Sequence, residues 1–389
     1  MQPGVLWLSL RHLQHSKLQT GIVLVCIALS MFLPVSTQVL TSRYERDLTA
    51  RARHSPLVLG SPGNEIDLTL CALYFRKSGL KPVPYGQVTA VRETGHGLAV
   101  PVNVRHTARR SPIVGVGPEY YEQRRLRPVR GTLPLMLGDC LLGADLADSL
   151  GLDVGDHLFS DPTDVYDIAR PPTLKMHISG VLPPTHSPDD HAVFVDIGTC
   201  WILEGASHGH RDAEQMTGNE VLGQRDGTVA LSPAVKEYQQ VTRANLASFH
   251  VHGDEAKLPL SAILVFPKDD KASTLLKAHT NLKTDYRIVV PTQVIDELMA
   301  VVFKVKALLD TFSVFLAIST GAMLFLQVLL SMRLRAREML TLERMGCSPG
   351  TVGRLYMSEI ALVLTAGISL AGLGVILVAW VLPDLVRAF

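Results

Sequence analysis

The chain has 389 residues, with 37 Lys and Arg against 36 Asp and Glu, so it carries almost no net charge. That balance gives no sign of a polyanionic partner such as nucleic acid. Hydrophobic residues make up 47% of the chain, and their concentration in three runs says more than the total.

Residues 1–18 read as an amphipathic helix: Val5, Leu6, Leu8, Leu10 and Leu13 recur with Trp7 near the front, and Arg11 and Lys17 supply charge. The first apolar run, residues 19–40, is long enough to cross a hydrocarbon core of about 30 Å as a helix. Its leader is long, no small-x-small cleavage site follows, and Pro34 sits inside it, so the expectation is an uncleaved anchor rather than a signal peptide. Two further spans are expected at 311–332 and 360–382, with a loop at 333–358 and a short tail at 383–389. Arg333, Arg335, Arg337, Arg344 and Arg354 fill that loop, and Arg11, His12, His15 and Lys17 precede the first span. By the positive-inside rule both regions face the cytoplasm, which puts residues 41–309 and the C-terminus outside.

The external part reads as α+β. Residues 56–59 (PLVL) suggest a strand, 64–75 a helix and 87–92 (QVTAVR) a second strand. Residues 262–266 (AILVF), 270–278, 286–290 (YRIVV) and 292–309 then give strand, helix, strand and a helix running without Gly or Pro into the second span. These are the halves of one lobe, about 50–95 and 258–309, split by an insertion at about 96–257. Within the insertion, 140–157 (CLLGADLADSLGLDVGDH) reads as strand end, Gly turn, short helix and Gly-Asp turn into a strand. Strands are expected at 174–181 and 190–195. The polar stretch 204–254 shows little periodicity, with a helix expected around 233–248. Cys71, Cys140 and Cys200 are external, an odd number that leaves one disulfide or three buried thiols open.

The loop between the last two spans carries the most specific pattern. Arg335-x-x-Glu338-x-x-x-Leu342-x-x-x-Gly346, then Glu359 at the mouth of the last span, resembles the cytoplasmic helix of the MacB/FtsX/LolC permease family. The "GLDVGD" turn, and the acidic residue before the apolar strand at 190–195, extend that resemblance into the external part. The resemblance implies an α+β membrane protein with three transmembrane helices and, between the first two, a periplasmic domain made of a porter-like lobe and an inserted second lobe. It implies an FtsX-like permease subunit of an ABC transporter in the bacterial inner membrane, in which Arg335, Arg337, Glu338, Leu342, Gly346 and Glu359 meet a separate ABC ATPase subunit that binds ATP and Mg. It also implies a second copy or a paralogous permease beside this chain. The output would be lipoprotein release, efflux or control of a periplasmic partner. Relatives usually have a fourth span, which this sequence does not show: either it is a three-span variant or its end is shortened. A membrane-anchored scaffold or metal-responsive sensor without an ATPase is the rival reading.

No G-x-x-x-x-G-K-[ST], G-x-S-x-G or H-E-x-x-H occurs, so no catalytic role is expected for the chain itself. The external part does hold twelve of the 14 histidines, including the pairs His208/His210 and His250/His252. Alternate residues of a strand share a face, so each pair is a candidate for zinc, with Asp212, Asp254 or Glu255 completing the shell. His186 and His191, beside Asp189 and Asp190, add further candidate ligands. Solvated surface imidazoles are the competing reading.

Overall fold

The structure, a computed structural model, describes residues 3–15, 17–162, 173–209, 221–225, 228–231, 239–251, 253–334, 341, 344 and 349–387. In chain order, α1 (Pro3–His15) and α2 (Lys17–Arg53) lead into β1 (Leu57–Gly60), α3 (Glu65–Tyr74), β2 (Val83–Pro84), α4 (Gly86–Glu93), β3 (Gly97–Ala108) and β4 (Ser111–Val116). Then come α5 (Pro118–Arg124), β5 (Arg130–Gly131), β6 (Asp139–Leu142), α6 (Ala144–Leu150), β7 (His157–Phe159), β8 (Lys175–Val181), β9 (Val193–Asp196) and α7 (Ile197–Leu203). The chain continues through β10 (Ser207–Gly209), β11 (Val221–Arg225), β12 (Thr228–Leu231), β13 (Phe249–Val251), β14 (Pro259–Leu260) and β15 (Ala262–Pro267). It finishes with α8 (Asp270–Lys283), β16 (Arg287–Val289), α9 (Pro291–Leu334) and α10 (Pro349–Arg387). Two compact units emerge: Met1–Arg46 with Met299–Phe389, and Asp47–Leu298.

The first unit is helical. Three helices are long and apolar enough to cross a membrane, Lys17–Arg53, Pro291–Leu330 and Gly353–Val381, as the apolar runs led one to expect. At 1.5 Å per residue, the 44-residue α9 is about 66 Å long, roughly twice a hydrocarbon core. Without a hydrophobic drive between helices in lipid, close packing and hydrogen bonds hold such a bundle together. A Cβ at Gly367 would lie 2.6 Å from the Ile27 side chain, and one at Gly374 would lie 3.0 Å from the Phe32 ring, so these glycines let α10 approach α2. Ser30 and Thr320 hydroxyls meet at 2.9 Å between α2 and α9. Phe315, Ile318, Phe325, Ile376, Leu377 and Trp380 remain exposed, the face a bilayer covers. The protein is a membrane protein.

The second unit is built on one ten-stranded sheet, in the order β16-β1-β15-β3-β4-β9-β6-β8-β5 with β7 on β8. The porter-like halves and the inserted lobe therefore share a sheet. The joint is β3, which pairs with β15 from Gly97 to Val102 and with β4 from Val102 to Ala108, with a register shift between Asn103 and His106. Each side keeps its own core: Leu57, Val88, Ile263 and Trp201 on one, Ile113, Leu142, Met176 and Val195 on the other. The strands at 56–59, 262–266 and 286–290 appear as β1, β15 and β16. Helix α3 starts where Asn64 accepts from the Ile66 amide at 3.0 Å. Cys71, Cys140 and Cys200 are buried free thiols.

Three elements differ from expectation. Residues 87–92 form helix α4, because Val88 and Val91, three apart, are both buried while Thr89, Ala90 and Arg92 face out. Asp190 belongs to a short 3-10 turn, Pro188–His191, and the strand begins at Val193. Of the helix expected at 233–248, residues 233–238 lie outside the described residues, and the helical part of the rest is the 3-10 turn Leu246–Ser248.

The last turn of α2 is fastened in this unit by a buried charge. Arg51 donates through Nη1 and Nη2 to the two carboxylate oxygens of Asp189, both at 2.9 Å, with side-chain exposures of 5% and 4%. Its Nε donates to the Leu73 carbonyl, and its guanidinium lies 5.0 Å from the centre of the Phe75 ring. The Tyr120 hydroxyl donates to Asp189 Oδ1 at 3.0 Å, and Ser187 to Oδ2 at 3.0 Å. Burial favours the neutral acid at Asp189, but Arg51 and these donors outweigh it and hold the carboxyl below its ordinary range. A carboxylate depressed in this way stabilises the fold above the unfolded-state value of about 3.9, and that contribution fades as pH falls through the folded value. The network is therefore intact at neutral pH and lost only in strong acid.

Removing one partner strands the other charge in the core, at a cost of about 3–5 kcal/mol. Asp189→Asn and Arg51→Met should each lower the unfolding temperature of the detergent-solubilised chain by several degrees. The double variant Arg51→Met/Asp189→Leu should recover much of that loss. Single variants that melt with the wild type would show that the pair does not hold α2 in place.

Candidate functional site

Of the residues expected to meet an ATPase, Arg335, Arg337, Glu338, Leu342 and Gly346 lie outside the described residues. Glu359 is half-buried in α10. Directly before it, Ser358 is buried with its hydroxyl 2.6 Å from that of Ser9, so α1 packs along the start of α10. Trp7, Leu8 and Leu10 of α1 stay exposed, with the Arg11 guanidinium 5.5 Å from the Trp7 ring. An apolar face flanked by a basic side chain suits a helix lying at a membrane surface.

The histidines meet differently from the expected pattern of neighbours along one strand. His210, His252 and Asp212 lie outside the described residues. His208 and His250 stand directly opposite each other where β10 and β13 pair antiparallel. Their ring centres are 5.2 Å apart with planes at 61°. His250 Nδ1 is 2.9 Å from the Ser248 carbonyl, within hydrogen-bond reach. Asp254 is occupied as a cap, accepting from the Ala256 amide at 3.0 Å. Among the described residues, no group of three or more His, Cys, Asp or Glu is placed to hold a metal.

The loop at 186–191 turns out to be structural. Asp189 is committed to Arg51, and Asp190 accepts from the Thr185 amide and hydroxyl at 2.8 and 2.7 Å. His191 Nε2 faces Asp145 at 3.3 Å.

Sequence reasoning missed two arrangements. One is the Arg51 network, because Arg51 sits in the charged stretch SRYERDLTARAR, which reads as a solvated helix end. A clue was available in the near-absence of large apolar residues after Leu48, where a helix entering a core needs some other anchor. The other is a second imidazole pair, His157 and His177, cross-strand partners of β7 and β8 with ring centres 5.7 Å apart. Asp139 holds His177 Nδ1 at 3.1 Å, and the Gln240 amide nitrogen lies 3.3 Å from His157 Nε2. Burial first, then Lys175 and His177, push the His157 imidazole below its ordinary range.

Residues 311–388 match the family model described as FtsX-like permease C-terminal. The comparison with curated proteins returned no match. Among solved structures, the periplasmic region of MacB from Actinobacillus actinomycetemcomitans is similar at 11% identity and a TM-score of 0.36, covering 63% of this chain and 94% of that one. The extracellular domain of the noncanonic ABC-type transporter YknZ from Gram-positive bacteria is similar at 10% identity and a TM-score of 0.33, covering 60% of this chain and 98% of that one. The matched stretch holds the two C-terminal spans and the Arg-rich loop between them, and over it the chain is similar to the FtsX-like permeases.

Proposed function

We propose that this chain is the permease subunit of an ABC assembly in the bacterial inner membrane, converting ATP hydrolysis on a separate ATPase subunit into movement of its periplasmic unit. The observation that carries this reading is the FtsX-like match over residues 311–388. A stiff rod transmits displacement where a flexible linker absorbs it. Helix α9 suits such a stroke, with no proline after its first residue. Arg335, Arg337, Glu338, Leu342, Gly346 and Glu359 form the contact with the ATPase, and ATP and Mg bind on that partner. A second copy or a paralogous permease stands beside the chain. Lipoprotein release, efflux and control of a periplasmic partner are the outputs such a stroke can drive.

Two experiments test the reading. A nucleotide-binding subunit should co-purify with the chain in mild detergent. Glu338→Lys, or a bulky residue at Gly346, should reduce its recovery at least tenfold while membrane levels hold, because charge reversal and added bulk separate packed surfaces. Normal recovery with both variants removes the coupling assignment, and no ATPase with the wild type favours the scaffold or sensor.

Orientation is checked separately. In spheroplasts an impermeant maleimide should label a cysteine placed at Leu282, which is 84% exposed, and should not label Cys347. Labelling of Cys347 alone would invert the topology.

A further inference from the structure

We propose that Arg124, where α5 ends beside Ser55, binds an oxyanion, and that the oxyanion is a phosphate group. Nothing in this site rests on the permease reading. A guanidinium drawn into a protein needs a counter-charge. Arg51 has one in Asp189, and Arg124 does not. Arg124 is half-buried, and its Nη2 donates to the hydroxyl of the fully buried Ser55 at 2.6 Å. Its Nε is buried with no hydrogen-bond partner, and its Cζ lies 5.9 Å from the centre of the Tyr120 ring. Burial keeps the Tyr120 phenol neutral. A hydroxyl and a neutral ring orient a cation without cancelling its charge. Burial first, with the Arg51 charge adding to it, pulls the Arg124 guanidinium down from its ordinary value.

The carboxylates around it are committed elsewhere. Asp189 Oδ1 accepts from Arg51 Nη2 and the Tyr120 hydroxyl, and Oδ2 from Arg51 Nη1 and Ser187. Each oxygen then has two donors, which fills its lone pairs. Asp190 accepts from Thr185, and Glu119 pairs with Arg92 at 2.9 Å. Glu122 is two residues before Arg124 on α5, a spacing that does not bring helix side chains face to face. Two guanidinia therefore share one carboxylate, which leaves a positive charge over. Exposed Arg53 and His54 precede Ser55, and exposed Arg125 and Arg127 follow Arg124. Among the described residues, no ion pair joins any of these to a carboxylate.

The fork of a guanidinium matches two oxygens of one oxyanion. With several further cations at hand, a doubly charged phosphate is better matched than a singly charged carboxylate. Inorganic phosphate and the phosphate of an anionic lipid headgroup offer the same oxygens, so the test has an arm for each.

In the first arm, the full chain in dodecyl maltoside at pH 7.5 is unfolded thermally with inorganic phosphate, sodium chloride holding the ionic strength constant. A phosphate concentration tenfold above the dissociation constant should raise the unfolding temperature by about 3 °C. In the second arm, without added phosphate, nanodiscs of phosphatidylcholine are compared with nanodiscs that also contain phosphatidic acid. A rise in the first arm identifies free phosphate, and a rise in the second alone identifies the lipid. Arg124→Met should abolish the rise in either arm. Without phosphate it should melt no lower than the wild type, since it removes a charge that lacks a counter-ion, whereas Arg51→Met melts lower. Arg124→Lys keeps the charge but not the fork, and should weaken phosphate binding at least tenfold by calorimetry. Arg125→Gln should retain the rise. No rise in either arm, an equal rise with sodium chloride alone, or a rise that survives in Arg124→Met overturns the proposal. So does a phosphate-free Arg124→Met that melts as low as Arg51→Met, which would mark Arg124 as a structural residue.

Discussion

A guanidinium cannot be taken out of water without company, and Arg51 has been taken almost entirely out of water. Its charge is acceptable only where Asp189, Tyr120, the Leu73 carbonyl and the face of Phe75 all converge. Those groups come from α3, α5, the residue closing α3 and the turn before β9, so one charge ties together segments far apart in the chain. Apolar packing tolerates small slips of register. A bidentate pair with every donor engaged does not, which fixes residues 47–53 within this unit more tightly than leucines would.

From that anchor the rest of the unit follows in order. Arg51 sits two residues before the end of α2, β1 begins at Leu57, and β1 pairs with β15 on one side and β16 on the other. Ile288 of β16 has its outward backbone groups engaged by Asn281, whose side chain accepts from the Ile288 amide at 2.7 Å and donates to its carbonyl at 3.2 Å. An open strand edge invites pairing with another chain, and here the amide of α8 closes it.

The elements legible in the sequence were those with a strong local signal. Three apolar runs needed only length and hydropathy. The helix expected at 64–75 and the strand AILVF at 262–266 needed only neighbouring positions. Reading failed where two periods fit the same letters: Val88 and Val91 satisfy a helix face as readily as QVTAVR suggests alternation. It failed again where partners are distant, since neither Arg51 and Asp189 nor His157 and His177 are near enough in sequence to show their meeting. Asp189 was noticed only as a neighbour of His186 and His191, because its partner lies 138 residues earlier. His208 and His250 were singled out as members of pairs along each strand, whereas the sheet pairs them across strands.

The placement of β1 beside β16 has an evolutionary side. The first strand after α2 and the last strand before α9 are hydrogen-bonded neighbours running in opposite directions, with Val58 opposite Val289. Everything between them leaves and returns through a single doorway in the sheet. Residues can be added to or deleted from the interior of such an insertion, and whole lobes exchanged, while the doorway keeps its geometry. A lineage could then replace what the unit recognises without redesigning the helices that carry it.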